Sequence, residues 1–308
     1  MAKPKLLVIL GPTAVGKTGL GIDIAKKFGG EILSADSLQV YKYMDIGTAK
    51  PSREEQTAVR HHMIDVVRPD EEFNAGRFRA EAARVIDDLH ASSRNIIVVG
   101  GTYLYVKVLL SGLIRGLPAD REIRADLKKL GSEFGRRYVY DRLLSVDPES
   151  ASKIHPNDYV RIERALEVYY LTGQKMSDLQ SDHEFGEHDY EYVKIGILHD
   201  RDLLRDRIDE RVDGMFEKGL VDEVRGLREM GYDPSLKPMQ SIGYKEVNLY
   251  LDKELELESA VGLIKRDTKR FAKRQMTWLR RDDSIQWFDT STEYDALMNK
   301  VRVFFDDA

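Results

Sequence analysis

The chain contains no cysteine. That excludes disulfides, thiolate nucleophiles and sulfur-ligated zinc, and it allows a reducing compartment. Long apolar runs are missing too. Nothing approaches the roughly 20 residues a membrane-spanning helix needs, and the few apolar residues ahead of Gly11 and Pro12 are too short for a signal-peptide core. A cytoplasmic protein with no membrane partner is expected. Nor is there an excess of positive charge: 48 Lys and Arg against 53 Asp and Glu leave a net charge of -5. Any basic surface for a nucleic acid must therefore be local. Repeats and low-complexity tracts are absent. What remains is 308 residues, enough for one large domain or two modest ones.

Three short runs, LLVIL ending at Leu10, NIIVVGG from Asn95 and YVKIGIL from Tyr192, have the β-branched, turn-bounded look of buried parallel strands. EILSADS adds a fourth that delivers Asp36 at its carboxyl end, where open α/β sheets bind ligands. Helical spacing fills Thr18 to Phe28 and Gly76 to about Ala91, so the pattern is α/β. From Pro118 to about Glu191 the text turns helical and charged, with no strand-like run. The expected organisation is a core split into 1–117 and 192–308, interrupted by a helical insertion at 118–191. Gly112, Gly116, Pro118 and Gly186 are the expected hinges, and the tail from Ser291 reads as a closing helix.

GPTAVGKT, Gly11 to Thr18, matches the phosphate-binding loop pattern between a strand and a helix. Such a loop turns successive backbone N–H groups toward one anion, adds the positive end of the helix and a lysine, here Lys17, and offers Thr18 to magnesium. Nucleotide hydrolases of this class also hold magnesium with an aspartate at the end of a second strand. Here NIIVVGG ends in Gly100, Gly101 and Thr102 without a carboxylate. Asp36 is then the nearest acid: a base, a magnesium ligand, or a turn cap. His61 and His62 are adjacent and so point apart, a poor metal pair. Arg207 and Arg211 lie one helical turn apart, either as a clamp for phosphate oxygens or as part of a salt-bridged surface with Asp206, Asp209 and Glu210.

Between Lys265 and Arg281 stand eight Lys or Arg against the single Asp267. On a helix, Arg266, Lys269, Arg270, Lys273 and Arg274 gather on one side, while Ile264, Phe271 and Trp278 recur every seven residues on another. Such a stripe can follow a phosphate backbone, the alternative being a solvated helix face.

Taken in order, GPTAVGKT, SADSLQVYKYMDIGTAKP, VVGGTYLY, HPNDYVRIERALEVYYLTG, QSIGYKE and KRQMTWLRR resemble the tRNA dimethylallyltransferases, in a bacterial type, over nearly the whole chain. The resemblance implies a P-loop NTPase-like parallel sheet flanked by helices, with an inserted all-helical domain that grips the tRNA anticodon stem-loop. It implies transfer of a dimethylallyl group from dimethylallyl diphosphate to the exocyclic amine of the adenosine 3′ of the anticodon, with magnesium, by a monomer. Gly11, Pro12, Thr13, Ala14, Val15, Gly16, Lys17 and Thr18 become the diphosphate cradle, with Arg207 and Arg211 on the leaving group and Thr18 on the metal. Asp36 becomes the general base, with Thr102 beside it. The implied RNA contacts are Asp36, Ser37, Leu38, Gln39, Thr102, Arg124, Val160, Arg161, Ile162, Glu163, Arg164, Gln240, Ser241, Ile242, Gly243, Tyr244, Lys245, Lys273, Arg274, Arg280 and Arg281. Tyr244 is either a stacking platform or a core tyrosine. The rival readings are an adenylate isopentenyltransferase, a small-molecule kinase, and an ATP-switched RNA-binding protein.

Overall fold

The computed structural model describes residues 3–113, 119–182 and 189–306. Of the expected hinges, Gly116, Pro118 and Gly186 lie outside the described residues, and Gly112 has a left-handed backbone, φ 80°. The chain divides into two compact units, Met1–Leu110 with His188–Ala308, and Ser111–Glu187.

The first unit is built on a six-stranded parallel sheet. Its strands are β1 (Lys5–Leu10), β2 (Gly30–Ser34), β3 (His61–His62), β4 (Asn95–Gly100), β5 (Glu191–Leu198) and β6 (Ile285–Asp289), in the spatial order β3-β2-β4-β1-β5-β6. β1 is central and its residues Leu6 to Leu10 are wholly buried. That explains the unbroken apolar run, because both faces of a parallel sheet are covered by crossover helices. Around the sheet lie α1 (Lys17–Phe28), α2 (Arg53–Ala58), α3 (Ala75–Ala91) and α4 (Tyr103–Ser111). Leu7 and Ile9 of β1 share a core with Ile24 of α1, Ile97 of β4, Ile195 of β5, and Val301 and Phe305 of the last helix. The alternation of apolar runs did not reveal β6, whose IQWFD is short and mixed in polarity. Pairing with β5 at the sheet edge makes it a strand.

The second unit holds α5 (Arg121–Glu133), α6 (Arg136–Val146), α7 (Pro148–Lys153), α8 (Tyr159–Thr172) and α9 (Met176–Asp182), closed over Leu127, Val139, Leu143, Ile162 and Leu166. Two buried acids fix its geometry. Asp147 caps α7 through the Ser150 N–H at 2.9 Å and accepts both the N–H and the hydroxyl of Ser177 at 3.0 and 2.7 Å. Glu167 accepts the Asp120 N–H at 2.8 Å and the Arg124 and Arg164 guanidinium groups at 2.7 and 2.5 Å. The first unit resumes with α10 (Arg201–Glu217), α11 (Leu220–Glu229), α12 (Tyr244–Leu251), α13 (Leu257–Leu279) and, after β6, α14 (Tyr294–Asp306). Among the described residues no helix is long and apolar enough to cross a membrane.

Candidate active site

β1 ends at Leu10 and the chain turns through Gly11 to Gly16 into α1. Gly16, the residue before the helix, has φ 94°, a backbone that a side chain would strain. No acid occupies the first turn of α1, so its positive end is unopposed. The Lys17 ammonium donates to the Pro12 carbonyl at 2.6 Å. Burial, and then the neighbouring Arg211 guanidinium, push Lys17 down to about 7, with Asp36 pulling the other way. Arg211 is itself lowered by burial and raised by Asp36. Lys17, Arg211 and Asp36 thus form one electrostatic cluster.

Asp36 stands just past β2. Its Oδ1 accepts the Leu38 and Gln39 N–H groups at 2.9 and 3.3 Å, and Oδ2 accepts no hydrogen bond among the described residues. One carboxylate oxygen therefore caps the turn while the other is spare, so the cap and the base are compatible roles. β4 ends close by with no carboxylate. A Cβ on Gly100 would lie 2.2 Å from the Ala35 carbonyl, so only glycine lets these two strand ends meet. The Thr102 hydroxyl accepts the Ser37 N–H at 3.0 Å and donates to the Ser37 hydroxyl at 3.3 Å. It braces the Asp36 turn from the end of β4.

That cavity measures about 490 Å³. Thr13, Lys17, Thr18, Asp36, Arg207 and Arg211 line it, with apolar wall from Ile32, Pro51 and Val99. Among the described residues no three acids or histidines form a metal cage. The Thr18 hydroxyl and the Asp36 carboxylate do line the space in front of the loop. That donor set suits magnesium, which takes one or two protein ligands and completes its shell with phosphate oxygens and water.

A family model described as IPP transferase matches residues 39–282. The chain belongs to that family. It is 48% identical over 303 residues to the tRNA dimethylallyltransferase 2 of Geotalea uraniireducens, covering 98% of both chains. It is 47% identical to the tRNA dimethylallyltransferase of Geobacter sulfurreducens, covering 99% of this chain and 98% of that one. Among solved structures it is similar to the full-length tRNA isopentenylpyrophosphate transferase of Bacillus halodurans, at 40% identity and TM-score 0.72, over 99% of this chain and 96% of that one. It is also similar to a eukaryotic dimethylallyltransferase acting on tRNA, at 30% identity and TM-score 0.85, over 99% of this chain and 79% of the other.

In this IPP transferase, two site residues were given no role by the motif patterns. The buried Gln275 of α13 accepts the Thr13 N–H at 2.9 Å and donates to the Gly101 carbonyl at 3.0 Å, tying the phosphate loop to the end of β4. Its sequence signal is a lone amide between the buried Ala272 and Leu279. Glu223 of α11 accepts three successive N–H groups, those of Asp45, Ile46 and Gly47, at 2.8, 2.7 and 3.1 Å, and so pins the loop that follows Asp36. Glu223 reads in sequence like any exposed helix acid.

Several expected RNA contacts are corrected by burial. Tyr244 is fully buried and its hydroxyl donates to Glu223 at 2.6 Å, so it is a core tyrosine and no stacking platform. Gly243, Ile162 and Glu163 are buried as well, and the buried Val15 supports the phosphate loop from below. Arg124 and Arg164 clamp Glu167. The Gln39 amide accepts from the Ser34 hydroxyl at 3.0 Å and donates toward the Ala49 carbonyl at 3.3 Å. Leu38 is half-buried. Val160 is 75% exposed, and Arg161, Gln240 and Lys245 are exposed too, with Ser241 and Ile242 half-buried. The Lys50 side chain is buried in ion pairs with Asp45 and Asp65. His62 pairs with Glu31 at 2.7 Å, and His61 lines the cavity with its Nδ1 on the Val59 carbonyl.

The basic helix also differs from the expected stripe. Ile264 is buried, but Phe271 and Trp278 are 39% and 43% exposed, because the buried face passes through Ala272, Gln275 and Leu279 instead. Lys265 and Lys269 are paired with Asp213 and Asp209 of α10, each at 2.6 Å, and Arg266 and Arg270 with Asp267. Lys273, Arg274, Arg280 and Arg281 are exposed and make no ion pair among the described residues. Arg274 lies over the Phe271 ring at 5.9 Å and Arg281 over Trp278 at 4.9 Å.

Proposed function

We propose that this chain is a tRNA dimethylallyltransferase that draws its five-carbon group from dimethylallyl diphosphate with magnesium. The observation that carries the reading is a single cavity onto which the phosphate loop, the spare oxygen side of Asp36 and two arginines all open, with no hydrolase-type carboxylate at the end of β4. The diphosphate lies on the N–H groups of residues 13–18, with Lys17, Arg207 and Arg211 stabilising it as it departs. Magnesium, held by Thr18 and the diphosphate oxygens, would spread the charge of the leaving group. The adenine amine attacks the allylic carbon, the carbon–oxygen bond breaks with its electron pair going to pyrophosphate, and the amine proton passes to Asp36. An anticodon loop offers the unstacked base this chemistry requires. The exposed Lys273, Arg274, Arg280 and Arg281, interleaved with Phe271 and Trp278, supply phosphate contacts and stacking surface. The enzyme acts as a monomer in the cytoplasm.

The test is incubation with labelled dimethylallyl diphosphate, magnesium and unmodified tRNA. Label enters the RNA without ATP if the reading is right. Strict dependence on ATP, or label only in free AMP, would overturn it.

A further inference from the structure

His199 follows β5 directly and its side chain is 3% exposed. Its Nε2 meets Arg207 Nη1 at 2.7 Å, and its Nδ1 faces Asp289 Oδ1, at the end of β6, at 3.4 Å. Arginine has only donors, so Nε2 accepts. The other ring nitrogen, Nδ1, is buried and makes no hydrogen bond among the described residues, with Asp289 Oδ1 3.4 Å away. Arg207 makes no ion pair with a carboxylate among the described residues, and it lines the main cavity, where His199 does not. His199 instead lines a smaller space of about 250 Å³ behind the loop, together with Gly16, Asp23, Arg207, Thr290 and Tyr294.

We infer that His199 is a positioning residue for the leaving-group arginine: it orients Arg207 toward the diphosphate while leaving the guanidinium charge unneutralised. A carboxylate in its place would hold Arg207 as firmly but cancel the charge that the departing pyrophosphate needs. Asp289 stands opposite Nδ1 and is itself fixed, since it accepts the Ser291 N–H and hydroxyl at 2.9 and 2.6 Å. The acceptor nitrogen of His199 is what holds Arg207 in that direction. The charged or titratable groups around it are Arg207 on α10, Asp289 after β6, Asp200 next in sequence, and Asp23 and Tyr294 across the small cavity.

The inference rests on the proposed transferase reading, so two readouts are used: kcat and KM for dimethylallyl transfer, and calorimetric binding of inorganic pyrophosphate with magnesium, which needs no transfer. His199→Ala is expected to lower kcat/KM about tenfold, with tRNA affinity unchanged. His199→Gln, whose amide oxygen can accept from Arg207, restores most of that. In an Arg207→Ala background, His199→Ala should add less than about a twofold loss, because coupled residues are not additive. Equal losses in both backgrounds, or a His199→Gln enzyme as impaired as His199→Ala, would overturn the inference. If His199→Ala fails to fold by thermal melting, His199→Phe, which keeps the bulk without the acceptor, takes its place. Absence of transfer by the wild-type protein sinks the functional reading alone, and the pyrophosphate cycle still reads the coupling of His199 to Arg207.

Discussion

Lys17 is the residue whose chemistry the loop changes most. Its folded value of about 7 lies below its ordinary 10.5. Between those values the unfolded chain holds a proton that the ligand-free folded chain has released, so this group makes stability rise with pH across that window. Ligand binding runs the other way. A diphosphate favours the ammonium form, so binding above pH 7 takes up a proton and affinity falls, by up to about tenfold per pH unit. Calorimetry of pyrophosphate binding at pH 8 in two buffers of different ionisation heat should show uptake of nearly one proton. None taken up would mean that the lysine is already charged. Asp36 separates its two roles by substitution. Asp36→Asn keeps an oxygen for the Leu38 and Gln39 N–H groups but removes the base, so transfer should fall about 10²- to 10⁴-fold with tRNA binding retained. Loss of tRNA binding in a gel-shift titration would make Asp36 an RNA contact instead.

Among the elements, α13 divides into two halves with different duties. Its first half spends Lys265 and Lys269 on Asp213 and Asp209 of α10. Its second half presents Lys273 and Arg274, which make no ion pair among the described residues, and two exposed rings, and Gln275 on its opposite side holds the phosphate loop to β4. The helix that would meet RNA is thereby tied to the loop that would hold the donor. Lys273→Ala should reduce the slope of log affinity for tRNA against log salt by about one, whereas Lys269→Ala should leave it nearly unchanged. Trp278→Ala should weaken tRNA binding by about 1 kcal/mol or more, and Tyr244→Phe should not weaken it. Equal effects of the two lysine substitutions in filter binding would contradict this division.

At the scale of the whole molecule, the inserted unit carries its own core and its own polar centre. Burial alone would raise Glu167, but hydrogen bonds from Arg124, Arg164 and the Asp120 N–H outweigh it and hold the carboxyl below its ordinary value. A depressed carboxyl contributes stability above its unfolded value and loses it as pH falls through the folded one. Glu167→Gln should cost the inserted unit about 2 kcal/mol, a figure kept modest because both arginines remain partly exposed. Thermal melting should show the loss, and tRNA binding should weaken while pyrophosphate binding holds. A parallel loss of pyrophosphate binding would mean that the two units are not separable in this way. The sequence by itself determined the phosphate loop, the buried strands, the helical character of the insertion and the family, because backbone turns and strand burial impose local residue types at fixed spacing. Asp36 was legible as an acid at a strand end. Only the tertiary structure decided that Tyr244, Ile162 and Glu163 are buried, that Lys265 and Lys269 of the basic helix are neutralised from α10, and that Gln275, Glu223 and His199 serve the site. Those roles arise from partners 8 to 262 positions away in the chain, and a side chain's partner across such a separation leaves no periodic trace in its own neighbourhood.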